Sequence, residues 1–278
     1  MHKFLTAEHI LLNLPQADMN LIETLKPDQR AINSIAKGYS ALSYYVQLSA
    51  MLKKVYPSTS FANFSKMELH LALNYALVKH YRGEEILKYQ LTKRYINDSK
   101  FIGAYEINVN SSRVDFLVIN GHTTSFEIKS SLDNLSKLRK QAKDYASVFD
   151  YNCLVADEIH FEKAKTMVPD EWGLWCYVDG TYEIFRKPLR NSHINPEAQL
   201  EQLSKTERKV AFGEANIDVS QIRMKFSDQQ INSLFRKALK DRYRERWNFL
   251  SAYHKQILPV DYQFFFNNNI QPKNIYNL

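Results

Sequence analysis

An alternating pattern of side chains in the middle of the chain is the feature that most constrains its fold. The run from Val114 to Ile119 is rich in β-branched and aromatic residues, and the run from Thr123 to Lys129 alternates between polar and apolar residues. Asn120-Gly121, which separates the two runs, is a strong hairpin-turn dipeptide. The pattern therefore predicts two paired strands.

An acid and an amine share one face of the second predicted strand. Because strand side chains alternate between faces, Glu127 and Lys129 lie on one side, and Phe126 and Ile128 lie on the other. Asp115 can join the acid and the amine from the neighbouring strand. Two close carboxylates repel each other, and the arrangement becomes favourable when a hard divalent cation lies between them. We expect Mg²⁺, with Mn²⁺ as a substitute, and a lysine beside it that holds the attacking water or stabilises charge on a phosphate.

The set formed by Asp115 and Glu127-Ile128-Lys129 resembles the core motif of the PD-(D/E)XK, or restriction-endonuclease-like, nuclease superfamily. The resemblance implies a mixed α/β sheet flanked by helices. It also implies that Asp115, Glu127 and the backbone carbonyl of Ile128 bind magnesium, and that Lys129 positions or activates the hydrolytic water. The chain departs from the motif at Val114, where the family often has proline, but that proline is often lost within the family.

A helix is predicted after the second strand. Ser130 to Asp133 can cap its start, and apolar residues then recur three and four positions apart, at Leu135, Leu138, Ala142, Tyr145 and Phe149. Gln141 and Tyr145 face the same way. They resemble the Gln-x-x-x-Tyr element of the RecB-like and phage-exonuclease-like branches, which implies that they contact substrate or brace the site. A packing role in the apolar stripe is the alternative for Tyr145, and Arg113 is a further candidate for substrate contact.

Further acidic residues compete for a place in the site. Met67 to Tyr81 is predicted to be a helix with Glu68 near its start. By resemblance to small bacterial proteins of the superfamily, Glu68 is the candidate for an additional metal ligand. Glu106, in the predicted strand Ala104 to Val109, is its rival. Glu207-Arg208-Lys209 repeats the acid-x-lysine form, but it lies in a polar stretch without strand character.

Four segments are predicted along the chain. They are a helical N-terminal extension (1–65), the α/β nuclease core (66–188), a linker or loop-rich segment (189–221) and a basic helical C-terminal region (222–278). Asn152 to Ala156 is expected to be a further core strand, and a hairpin turning at Asp179-Gly180 is expected to extend the sheet.

A long helix is predicted from Lys225 to Gln256. Its apolar side is expected to contain Ile231, Leu234, Ala238, Tyr243, Trp247 and Leu250. Its other positions carry Arg236, Lys237, Lys240, Arg242, Arg244 and Arg246. These cations form either a solvated helix face or a surface that contacts phosphates.

Composition fits a nucleic-acid partner. The chain has 278 residues and a net charge of +7, which suits a polyanion. It lacks an apolar run long enough to span a membrane, and the polar residues near Met1 break any signal-peptide pattern, so a cytoplasmic setting is expected. Cys153 and Cys176 are isolated in apolar runs and are predicted to be buried thiols.

The sequence thus predicts a magnesium-dependent nuclease that acts on nucleic acid, with DNA favoured over RNA. The alternative is a catalytically silent nucleic-acid-binding subunit of a larger bacterial or phage-related assembly, because superfamily folds outlive their chemistry. A protein partner and a homo-oligomer are both left open.

Overall fold

The computed structural model describes residues 22–213 and 218–276. The principal helices are α1 (Gln29–Gly38), α2 (Tyr45–Val55), α3 (Lys66–His80), α4 (Glu84–Thr92), α5 (Leu138–Ala146), α6 (Glu158–Ala164), α7 (Pro196–Glu201), α8 (Lys205–Phe212), α9 (Val219–Lys225), α10 (Asp228–Tyr253), α11 (Tyr262–Asn268) and α12 (Lys273–Tyr276). The strands are β1 (Ile102–Val109), β2 (Ser112–Ile119), β3 (Thr123–Lys129), β4 (Tyr151–Asp157), β5 (Gly173–Val178) and β6 (Thr181–Arg186).

The chain divides into two compact units. Within the described residues, the helical unit contains 22–89 and 249–276, and the sheet unit is Gln90–Asn248. These units do not coincide with the four segments expected from composition, because 66–89 groups with the N-terminal helices and 189–248 groups with the sheet. The segment 189–221, expected to be a linker or loops, contains α7, α8 and the start of α9.

The sheet unit is built on one mixed sheet of six strands in the order β1-β2-β3-β4-β5-β6. β1, β2 and β3 are antiparallel neighbours, β3, β4 and β5 are parallel, and β6 is antiparallel to β5. A connection between parallel strands needs a crossover, and α5 and α6 lie in the two crossovers. The prediction of an α/β fold with helices at both ends of the chain is confirmed. Cys153 and Cys176 are buried in this sheet, as predicted.

Both predicted hairpin turns are confirmed. Gly121 has a φ of +67°, which a residue with a side chain rarely adopts, and it closes the β2–β3 hairpin. Asp179 and Gly180 have φ values of +47° and +79°, as a two-residue type I′ turn requires, and they join β5 to β6. The first hairpin sets the register that brings the candidate site residues together.

The start of α5 differs from the prediction. Ser130 and Asp133 do not cap it, because the helix begins at Leu138, five residues beyond Asp133. The Asp133 carboxylate instead accepts hydrogen bonds from the backbone amide and the hydroxyl of Ser130, at 2.8 and 2.6 Å. The side chains of Ser130 and Asp133, which could have capped a helix, instead stabilise a local turn.

The long basic helix is confirmed as α10, but its apolar side is rotated from the predicted one. Ile231, Tyr243, Trp247 and Leu250 are buried as expected, whereas Leu234 and Ala238 are partly exposed, and Phe235 and Leu239 are buried in their place. No helix among the described residues has the length and hydropathy needed to cross a membrane.

Acidic partners hold several arginines of α10. Arg242 contacts both carboxylate oxygens of Glu207 at 2.6 Å, and Arg244 lies 2.7 Å from Asp241. Arg236 lies 3.6 Å from Asp150, a carboxylate that is fully buried. These arginines have local structural partners, and phosphate contacts by this helix stay a prediction.

A buried polar network lies in the helical unit. The Asp261 carboxylate accepts hydrogen bonds from the hydroxyls of Tyr39 and Tyr276, at 3.0 and 2.8 Å. The Asn74 amide donates to the Tyr39 oxygen at 2.8 Å, and Nδ1 of His70 lies 2.8 Å from the same atom. Burial raises the pKa of Asp261 to about 7 and lowers the pKa of His70 to about 4. The network therefore connects the first helices of the unit to its C-terminal segment through groups whose charged forms are disfavoured.

Candidate functional site

Three carboxylates form one row across the first three strands of the sheet. Glu106 and Asp115 lie between the paired residues Tyr105–Phe116 and Ile107–Val114 of β1 and β2. The β2–β3 register, continued one residue past the last pair, would bring Asp115 opposite Glu127. Glu106 and Asp115 each offer a carboxylate oxygen within 4.8 Å of the other. The prediction that Asp115 joins Glu127 from the neighbouring strand agrees with this register.

Asp115 takes the place of a strand hydrogen bond. Regular pairing of β2 with β3 ends at Phe116 and Phe126, one residue before Asp115 and Glu127 would pair. There Oδ2 of Asp115 accepts the backbone N–H of Ile128 at 2.6 Å. A short bond from an amide to a carboxylate is charge-assisted, and it fixes the orientation of this side chain.

Glu127 and Lys129 form a buried ion pair that also involves Gln141. Nζ of Lys129 lies 2.5 Å from Oε1 of Glu127 and donates to Oε1 of Gln141 at 3.2 Å. Glu127 is 0% exposed and Lys129 is 8% exposed. Burial by itself lowers the pKa of Lys129, but Glu127, with contributions from Asp115 and Asp133, outweighs burial and raises it. Lys129 is therefore an ammonium in this arrangement.

Tyr145 braces the same carboxylate from α5. Its hydroxyl lies 2.6 Å from Oε2 of Glu127 and 2.5 Å from the backbone carbonyl of Arg113. Burial, together with the charge of Glu127, raises the pKa of Tyr145, so the phenol keeps its proton and acts as a donor. Trp172 stacks on the ring at a centroid distance of 6.1 Å and an interplanar angle of 14°. Tyr145 thus packs in the apolar stripe and braces Glu127, and its contact to substrate stays a prediction.

The backbone is strained at Glu106. This residue has a φ of +56°, in the left-handed region, although it lies inside a strand. A residue with a side chain in that region costs about 1–3 kcal/mol, and such strain is concentrated at functional sites. Arg113, predicted to contact substrate, forms an ion pair with Glu106 through its side chain. β1 thus supplies a third carboxylate, and β2 supplies its counter-cation.

Glu68 has a local role in the helical unit. It closes a capping box at the start of α3, where its carboxylate accepts the backbone N–H of Ser65 at 2.6 Å. Its role as a metal ligand, like that of the Ile128 carbonyl, stays a prediction. Glu207, in the rival acid-x-lysine tripeptide, caps α8 and pairs with Arg242.

Sequence reasoning missed Trp172 and Asp133. Trp172 braces Tyr145 from the loop before β5, and only the fold brings the two rings together. Asp133 adds its negative charge to the surroundings of Lys129 from the loop after β3. The short separation of Asp133 from Lys129 in sequence was a usable signal, whereas Trp172 gave none.

The donor chemistry of the row fits a hard divalent cation. Asp115, Glu127 and Glu106 offer oxygen ligands only, which is the ligand type that Mg²⁺ and Mn²⁺ prefer over nitrogen or sulfur. The buried carboxylates repel one another, and the Lys129 ammonium offsets only part of that charge. A cation between them would relieve the remainder.

The family model for bacteriophage P4 protein cII matches residues 79–265 of the chain. The chain belongs to this family. Protein cII of Enterobacteria phage P4 is 25% identical to it over 183 residues, which cover 61% of this chain and 69% of that protein. The matched range includes the whole sheet unit and therefore the row of carboxylates.

A solved structure also resembles the chain. It is the SPO1766 protein of unknown function from Silicibacter pomeroyi, with a TM-score of 0.32 and 18% sequence identity, over 47% of this chain and 92% of that protein.

Proposed function

We propose that this protein is a magnesium-dependent nuclease that hydrolyses phosphodiester bonds, with DNA as its substrate. The observation that carries the proposal is the joint placement of Asp115, Glu127 and Lys129 at one end of the β2–β3 pair. Gln141 and Tyr145, which the resemblance to PD-(D/E)XK nucleases singled out, both bond to members of that set. The strand motif and the helix motif are independent sequence patterns, and their agreement on one site is expected for a functional site.

Asp115 and Glu127 would hold the metal, and Glu106 is the third carboxylate within reach of Asp115. Bound there, Mg²⁺ would supply Lewis acidity toward the phosphate and make water more acidic. Mn²⁺ would serve as a substitute, because it prefers the same oxygen ligands.

The protein's own residues would do the positioning. Lys129, held by Gln141, would orient the attacking water and stabilise negative charge that develops on the phosphate. Tyr145 would keep Glu127 in place through a hydrogen bond that water cannot replace, because the Glu127 carboxylate is fully buried. Such support of a metal ligand is typically worth a factor of about 10–100 in metal affinity or activity.

A cleavage panel tests the proposal. Plasmid, linear duplex, single-stranded and branched DNA, and RNA, are incubated with Mg²⁺ or Mn²⁺ and either wild type, Asp115→Asn or Lys129→Ala. We expect cleavage of at least one DNA substrate by wild type, and loss of that cleavage in both variants while their circular dichroism spectra stay folded.

Lys209→Ala is the matched control, because this exposed lysine belongs to the other acid-x-lysine tripeptide. It should cleave as wild type does. Cleavage retained by Lys129→Ala would overturn the proposal. Binding without cleavage by wild type, with either metal, would favour the silent nucleic-acid-binding subunit.

A further inference from the structure

A groove of about 440 Å³ lies beside α5 in the sheet unit. Arg139, Ala142, Lys143 and Ala146 line it from the helix, and Thr166 and Val168 line it from the segment after α6. The four helix positions recur at intervals of three and four, so they lie on one face of α5. Gln141 and Tyr145, which bond to the site, lie on another face of the same helix.

The charge of the groove is of one sign. Arg139 and Lys143 line it without any acidic residue, and within the described part of the chain neither cation makes an ion pair or a side-chain hydrogen bond. Lys140, on another side of the helix, has Asp144 at 3.8 Å. Like charges four residues apart destabilise a helix by about 0.2–0.5 kcal/mol. Helix stability therefore does not explain why Arg139 and Lys143 lie four residues apart, whereas binding of an anionic ligand would explain it.

The groove is mechanically connected to the site. The wall opposite α5 contains Pro169, whose carbonyl accepts the backbone N–H of Trp172 at 3.1 Å. Trp172 in turn stacks on Tyr145, which bonds to Glu127. One helix and one stacked pair thus connect the two cations to the carboxylates, all within the sheet unit.

We propose that this groove holds one strand of the sugar–phosphate backbone of the substrate, in a part that flanks the bond to be cleaved. Arg139 and Lys143 contact its phosphates, and the small side chains of Ala142 and Ala146 let the strand approach the helix closely. The volume lies within the range of about 300–1,000 Å³ typical of sites for one small ligand, which suits a single strand and not a duplex. Contacts of this kind position a strand without reading its sequence. The proposal rests on the proposed function, since it assigns a substrate path to the same site.

Salt-dependent binding is the test. Fluorescence anisotropy measures the affinity of a labelled single-stranded DNA oligonucleotide over a range of salt concentrations. The Asp115→Asn background prevents cleavage. Each phosphate contact to a single strand contributes about 0.7 to the slope of log affinity against log salt. We expect Arg139→Ala with Lys143→Ala to make this slope less steep by about 1.4, since two contacts are lost.

The matched control removes the same charge elsewhere, at Lys137 and Lys209, which are exposed and do not line the groove. Lys137→Ala with Lys209→Ala should leave the slope unchanged. A third variant, Ala146→Glu, places an acid in the groove and should weaken binding at low salt without removing a cation. Equal slopes in the groove and control variants, or no binding by the Asp115→Asn protein, would refute the proposal that the groove binds a strand.

The outcome is separable from that of the proposed function. If wild type cleaves DNA and the groove variants bind and cleave as wild type does, the nuclease proposal is supported and the groove proposal is refuted. If wild type does not cleave and only the groove variants lose binding, the groove proposal is supported and the nuclease proposal is refuted.

Discussion

Replacement of Lys129 by methionine tests whether the buried ion pair exists in the metal-free protein. Methionine keeps most of the length of the side chain and removes its charge. Glu127 would then be left fully buried, near Asp115, without the ammonium that lies 2.5 Å away. Removing one partner of a buried ion pair costs about 3–5 kcal/mol, because the other charge stays uncompensated. We expect the lower end of that range, because Lys129 is 8% exposed.

Magnesium should act in the opposite direction. Under the proposed function, the ammonium and the cation would share Glu127 in wild type, so removal of the ammonium would strengthen the attraction for Mg²⁺. A ligand that binds the folded state stabilises it by RT ln(1 + [L]/Kd), and a lower Kd gives a larger effect. We therefore expect Lys129→Met to have a lower Tm than wild type without metal and a larger rise in Tm with Mg²⁺.

A double-mutant cycle isolates the pair. Glu127→Gln with Lys129→Met removes both charges, so its loss of unfolding free energy in urea should be smaller than the sum of the two single losses. Additive losses would show that the two groups do not interact. A rise in Tm with Mg²⁺ that is no larger in Lys129→Met than in wild type would refute the shared use of Glu127.

Two further predictions concern the support of the fold. In Gly103→Ala the new Cβ would lie 2.2 Å from Cζ3 of Trp247, so we expect a loss of about 1–3 kcal/mol of unfolding free energy in urea. The same substitution should cost less in a Trp247→Leu background, and no loss in wild type would contradict the close packing. The pKa of Asp261 is raised in the folded state to about 7. Its protonated form therefore stabilises the folded state, and this contribution to the free energy of unfolding is lost as pH rises from about 4 to 7. His70, with its pKa lowered to about 4, acts in the opposite sense between pH 4 and 6.5. The Tm of Asp261→Asn, relative to wild type, should therefore increase over this pH range, and a constant difference would exclude a raised pKa.

The placement of the site residues could be predicted because it depends on short-range pattern. A period of two and a hairpin turn fix which residues of β2 and β3 are opposite each other, and the same rule, continued one residue past the last pair, brings Asp115 opposite Glu127. The spacing of Gln141 and Tyr145 likewise predicted one shared helix face. The distortion at Glu106 was beyond such reasoning, since β propensity gives no indication of a positive φ inside a strand.

Two details of the predicted helices were wrong because the sequence pattern fitted two alternatives equally well. In α10, the rows Leu234–Ala238 and Phe235–Leu239 both satisfy the spacing of a buried stripe, so the period fixes the helix but not which face is buried. After β3, the side chains of Ser130 and Asp133 can cap a helix or close a turn, and the residue types alone do not distinguish the two.

Stability alone gives no reason for the row of carboxylates. Apolar residues of similar volume stabilise a core as well as a buried ion pair does, or better. The row nevertheless contains Asp115 and Glu127 as buried acids and Glu106 in a strained conformation, with Lys129 and Arg113 as the cations paired to it. A chain selected only for folding would gain from losing these features. The proposed function would account for the arrangement, because a site that binds a cation and holds a lysine beside it needs acids and a lysine in these positions whatever they cost in stability.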